Sequence, residues 1–107
     1  MSKPATATRR NGRTKRYISV LREHLPELRE RYGVRTLGIF GSYVRGQQRK
    51  RSDLDVLVEF DRAPSLFGFI DLRDYLTNLL GVKVDLVMKS ALKPAIGQRI
   101  LAEVVPV

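Results

Sequence analysis

The chain contains no cysteine and a single histidine, His24. Without cysteine there are no disulfides and no thiolate metal sites, and a cytoplasmic location fits that composition. No uninterrupted apolar run approaches the roughly 20 residues of a membrane span, which argues against a membrane partner. The N-terminus lacks the apolar segment of a secretory signal, so the chain is read as unprocessed. Acid is also missing where base is dense. Residues 1–16 carry Lys3, Arg9, Arg10, Arg13, Lys15 and Arg16 but no aspartate or glutamate.

What is present is ordinary for one small globular domain: 107 residues, 43% hydrophobic and 29% charged, too few residues for two cores. The net charge of +9 is uneven, because the 91 residues after the basic stretch contribute only +3 of it. Residues 1–16 are read as a basic, solvated and disordered tail, and residues 17–107 as the folded domain. The alternative for the tail is an arm that attracts nucleic acid or an acidic partner surface.

From Tyr17 to Tyr32, Tyr17, Leu21, Leu25, Leu28 and Tyr32 recur at helical spacing. Pro26 should break or kink this helix, since it has no N–H to donate, and Gly33 should stop it. His24 is read as structural or exposed. Val34 to Phe40 is a strand, Ser42 opens a short helix to about Gly46, and Gln47 to Ser52 is a polar, basic loop. Leu54 to Phe60 is the clearest strand, with Leu54, Val56, Val58 and Phe60 on one side and Asp53, Asp55, Leu57 and Glu59 on the other. Ser65 is the expected cap of a helix running to Leu80, whose stripe is read as Leu66, Phe69, Ile70, Arg73, Leu76 and Leu80. Val82 to Met88 is a third strand. Pro94 starts a last helix with Ile96, Ile100, Leu101 and Val104 as its apolar side. This alternation implies an α/β (α+β) fold, one small sheet covered by helices.

The chemistry concentrates between Gly38 and Phe60. A strand that ends at Gly41 and turns into a helix at Ser42 presents unpaired N–H groups to an anion. Arg45, three residues on, lies on the same helix face. A Gly-Ser pair is also a common turn and cap, so it decides little by itself. Asp53 and Asp55 alternate on one strand and project the same way, about 6.6–6.8 Å apart. Such carboxylates suit Mg²⁺, which commonly shares them with substrate phosphates, although Asp-x-Asp also simply begins strands. Asp85 shifts the balance. It is a lone acid in the apolar strand VKVDLV, where an unpaired buried carboxylate would cost several kcal/mol. A neighbouring strand that carries Asp85 toward Asp53 and Asp55, around a shared cation, would explain it more economically than a pairing with Lys83 or Lys89.

With these residues in place the sequence resembles the minimal nucleotidyltransferases (MNT) of the DNA polymerase β superfamily. The pattern is Gly41-Ser42, ten residues, then Asp53-x-Asp55, with a later acid at Asp85. The flanking RYGVRTLGIFGSYVRG, SDLDVLVEF, LGVKVDLV and ALKPAI…ILAEVV are similar to family segments in order. The resemblance runs from about residue 17 to the C-terminus and leaves out the basic stretch. It implies a polymerase β-like fold with a small mixed sheet. It implies the antitoxin of a HEPN–MNT pair, transferring AMP from ATP to a tyrosine of a HEPN ribonuclease toxin. Asp53, Asp55 and Asp85 would then be catalytic and hold a two-ion Mg²⁺ site. Asp85 would also draw the proton from the acceptor hydroxyl. Gly41 and Ser42 would hold the triphosphate, with Arg45 and Ser52 beside them as nucleotide-binding candidates. The loop Gln47-Gln48-Arg49-Lys50-Arg51 departs from the family in being basic where relatives tend to be acidic. Size independently favours a protein acceptor, because almost all the chain is spent on the sheet and its cover. Two alternatives stand beside transfer: neutralisation of the toxin by binding alone, and a nucleic-acid module built on the tail and the 49–51 loop.

Overall fold

A computed structural model describes residues 5–107, with side chains described from Gly12 onward. Helix α1 spans Ala5–Tyr32, β1 Val34–Phe40, α2 Ser42–Arg45 and β2 Leu54–Phe60. Helix α3 follows over Leu66–Leu80 and β3 over Val84–Met88. A 3₁₀ turn at Lys89–Ala91 then leads to α4 over Pro94–Glu103 and β4 over Val105–Pro106. The four strands form one mixed sheet in the order β3-β2-β1-β4. The β1–β2 and β1–β4 pairs are antiparallel and β2–β3 is parallel. The parallel pair requires a crossover, which α3 supplies.

One face of the sheet is dry. Ile39, Leu54, Val56, Val58 and Val84 are essentially inaccessible there, packed with Leu21 and Leu28 of α1 and Leu72 and Leu76 of α3. Period-2 burial in β2 meets period-3.6 burial in the helices, and the two patterns close one core between them. The opposite face carries Asp55 and Leu57 and is approached by α4, which leads into β4 at the sheet edge. That approach depends on Gly38, since a Cβ there would run into the Val104 side chain and the Val105 carbonyl.

The structure revises several expectations. Helix α1 begins twelve residues before Tyr17, at Ala5. Thr14 is buried and donates its hydroxyl to the Tyr43 carbonyl at 3.2 Å, so the expected boundary at residue 17 falls inside a packed helix. Of the basic stretch, residues 1–4 lie outside the described residues, as do the side chains of residues 5–11. Pro26 does not break α1, which continues through it. Pro26 is exposed, so solvent can satisfy the carbonyl left without a donor. His24 is bonded within the helix to the Val20 carbonyl at 2.9 Å, a structural use.

The buried face of α3 is also rotated from its expected position. Leu72, Leu76 and Leu80 are buried, Arg73 is exposed, and Leu66 is 70% exposed. Ser65 caps the helix as anticipated, accepting from the Gly68 amide at 3.1 Å. β3 starts at Val84 rather than Val82, and β4 is a two-residue edge strand that no sequence pattern announces.

The core assignment is testable by chemical denaturation. Leu72→Ala, which empties a fully buried site, should cost about 2–5 kcal/mol. Arg73→Ala, one residue further on, should change stability by no more than about 0.5 kcal/mol.

Candidate active site

Asp55 sits in the second position of β2 with Phe40 of β1 on one side and Asp85 of β3 on the other, each its direct cross-strand partner. The parallel register therefore brings together two acids thirty residues apart, as the sequence anticipates. Asp53 immediately precedes the strand, partly buried. The reason given from sequence for Asp85 needs correction. Its side chain is exposed, not buried in an apolar strand, because Val84 and Leu86 take the core face and Asp85 takes the open one. What marks it is its neighbour and not a desolvation cost.

Asp55 bears that cost instead. Burial, and then the charge of Asp85 and a hydrogen bond with it, push the Asp55 carboxyl from an ordinary 3.8 up to about 6, while Arg45 pulls it partway back. Asp53 adds to the upward push. Carboxylates held this close are stable only if one keeps a proton or a cation joins them.

The turn after β1 is built around the same side chain. Gly41 has φ 81° and ψ −152°, in a region that residues with a Cβ avoid. A Cβ placed there would collide with the Asp55 carboxylate. Gly41 therefore lets the α2 turn lie directly against the acid.

The Gly41 amide and the Arg45 guanidinium converge on one anion, as expected of a phosphate cradle, but the anion present is Glu103. The Gly41 N–H donates to Glu103 Oε2 at 2.7 Å. Arg45 Nη1 donates to both carboxylate oxygens at 3.0 Å. Arg45 Nε also donates to Gln47 Oε1 at 3.0 Å. Glu103 reaches the site from the last turn of α4, and sequence reasoning missed it. The available signal was that Glu103 is the only acid after Asp85. With Phe40, Asp55, Ile96, Arg99 and Ile100, these groups line a cleft of about 240 Å³. Ser42 opens α2 and is partly buried beside the cleft residues. Ser52 has a structural partner: its Oγ accepts from the Arg49 amide at 2.7 Å and closes the basic loop.

Among the described residues, no three acid, histidine or cysteine side chains are gathered tightly enough to hold a metal ion unaided. The donor set nonetheless suits Mg²⁺, which takes one or two carboxylates and completes its shell with phosphates and water. The Asp55–Asp85 pair, with Asp53 two residues back, offers oxygen donors whose mutual repulsion a divalent ion would relieve.

The domain's family is now evident. The nucleotidyltransferase domain model matches residues 21–106, and the chain belongs to that family, in its minimal nucleotidyltransferase branch. It is 58% identical over 87 residues to the protein adenylyltransferase MntA of Thermococcus cleftensis, covering 81% of this chain and 88% of the relative. A solved structure assigned to the minimal nucleotidyltransferases superposes with a TM-score of 0.68 at 34% identity, covering 100% of both chains. A toxin–antitoxin structure with AMP-PNP superposes with a TM-score of 0.63 at 25% identity, covering 83% of this chain and 67% of that one. No helix among the described residues is long and apolar enough to cross a membrane.

Two outcomes follow for the site. An acid whose folded pKa lies near 6, above its ordinary 3.8, keeps a proton in the folded state that the unfolded chain has already released. Its contribution to folding is therefore lost as pH rises from about 4 to about 6. In metal-free buffer, Asp55→Asn should become progressively more stable than the parent across that window. By neutral pH the gain should be on the order of 1–2 kcal/mol, read from melts at several pH values. Gly41→Ala should lower stability by about 1–3 kcal/mol, through backbone strain and displacement of Asp55, and melting curves measure it directly.

Proposed function

We propose that the protein is an antitoxin that transfers AMP from ATP to a tyrosine hydroxyl of a HEPN ribonuclease toxin and so silences it. The observation that carries this reading is the Asp55–Asp85 pair in register, set against an anion cradle made by the Gly41 amide and Arg45. The Thermococcus relative that shares 58% identity is itself a protein adenylyltransferase, which favours a protein acceptor.

In this reading Asp53, Asp55 and Asp85 hold Mg²⁺, which when bound supplies positive charge to the phosphate oxygens and the leaving group. The Gly41 amide and Arg45 take triphosphate oxygens in place of the Glu103 carboxylate, with Ser42 beside them. The acceptor oxygen attacks the α-phosphorus in line, forming an O–P bond as the bond to the departing pyrophosphate breaks. The acceptor proton passes to a carboxylate, and Asp85 is the candidate because it is exposed beside Asp55, where a partner's side chain can reach it. Most of the work is positioning and charge stabilisation, so a partner that brings its own folded surface completes the site.

Radiolabelled ATP with Mg²⁺ should mark a co-encoded HEPN protein in the presence of the parent chain. Asp53→Asn combined with Asp55→Asn should lower labelling by at least about 10²-fold, the scale on which loss of electrostatic stabilisation at a transferring group is felt. No label on the authentic partner would overturn the transferase reading. Full protection of cells by the double variant would instead establish neutralisation by binding alone.

A further inference from the structure

Apart from the pocket around Asp55, the fold joins two basic segments that are far apart in the chain. Arg13 and Arg16, one turn apart on α1, and Lys50, from the loop before β2, line a cleft of about 470 Å³. Its floor is Tyr17 and Tyr43, packed edge to face at 5.7 Å and both buried. The Arg16 guanidinium lies 5.7 Å from the Tyr17 ring centre. Tyr43 ties the floor to the loop by donating its hydroxyl to the Ser52 carbonyl at 3.4 Å. Gly81 and Val82 form the far wall.

We propose that this cleft binds the sugar–phosphate backbone of single-stranded nucleic acid. Three features support this occupant. First, Arg13, Arg16 and Lys50 are exposed, and among the described residues none forms an ion pair. The chain before Glu23 holds no acid that could neutralise them. Their charge is therefore available to a ligand, and guanidinium groups match phosphate oxygens in fork geometry.

Second, Gly12 and Gly81 in the lining are exposed and carry no side chain, so neither narrows the cleft for an extended chain. Third, Arg49 and Arg51 flank Lys50 in the loop and are exposed, so positive charge extends past the cleft. A succession of phosphates can engage that run of cations, whereas one small anion cannot. The cleft shares no lining residue with the pocket around Asp55, Arg45 and Glu103. The inference thus stands independently of the transferase reading.

The test is fluorescence anisotropy of a labelled single-stranded oligouridylate with the full chain, between about 50 and 200 mM salt. The parent should bind with affinity that falls steeply as salt rises. The combined variant Arg13→Ala, Arg16→Ala, Lys50→Ala should lose about tenfold or more in affinity. Its dependence of log K on log salt should be shallower by about 2, since each single-strand phosphate contact contributes about 0.7. Arg22→Ala, Arg29→Ala, Lys93→Ala removes the same charge elsewhere on the exposed surface and should change binding little. Asp53→Asn with Asp55→Asn, which lies outside the cleft, should bind at least as tightly as the parent. Lys50→Glu alone leaves α1 untouched and should weaken binding, which keeps the test decisive if the triple variant folds poorly.

Equal losses in both triple variants would overturn the proposal, as would parent-like binding by the cleft variant. Displacement of the oligonucleotide by ATP with Mg²⁺ would assign the cleft to the nucleotide. Binding of polyglutamate with the same dependence on Arg13, Arg16 and Lys50 would assign it to an acidic protein surface. Either result also overturns the proposal.

Discussion

The parallel pairing of β2 with β3 sets Asp55 beside Asp85, and the repulsion between those carboxylates organises what surrounds them. Asp55 is partly buried, so its ionised form is poorly solvated. It retains a proton to higher pH, or accepts a cation. The turn that covers it must carry glycine at position 41, because the carboxylate occupies the space of a side chain. The dry face beneath, with Leu54 and Val56 on either side of Asp55 in β2, keeps the strand from relaxing to relieve the repulsion.

α2 separates two regions of opposite character. Arg45, at its end, turns toward the acids and is engaged by Glu103. Tyr43, two residues earlier and so on the opposite face of the helix, packs against Tyr17. One four-residue helix thus contributes a cation to the acidic site and a floor to the basic cleft. The Glu103 carboxylate shows that Gly41 and Arg45 can grip one anion at hydrogen-bond distance. Because that pair is partly exposed, it is worth little by itself, on the order of 0–1 kcal/mol. A more highly charged group can therefore displace it at small cost.

The central strands were easy to read because their alternation survives in the structure almost residue for residue: Leu54, Val56 and Val58 are core, and Asp55 is not. The buried face of α3 is not legible locally because the helix is rich in apolar residues on several sides. Helical spacing through Leu66 and Arg73 looks as regular as spacing through Leu72 and Leu76, and only contact with the sheet chooses between them. The early part of α1 reads as tail because it has almost no apolar content, and its docking rests on Thr14 and a carbonyl 29 residues away. β4 was invisible because two residues carry no period.

Local pattern was enough to establish the strands, the helix cap at Ser65 and the spacing of Gly41-Ser42 to Asp53 and Asp55, since each depends on residues within a few positions of one another. It could not supply the joint position of groups distant in the chain. Glu103 meets Gly41 across 62 residues, and Arg13 and Arg16 share a cleft with Lys50, because packing against one sheet leaves α1, α4 and the 46–53 loop no other place to lie. Even for Asp85 the sequence pointed to the right neighbour for the wrong reason. Side-chain direction is set by which face of the sheet the core occupies, and that is decided only when α1 and α3 close over it.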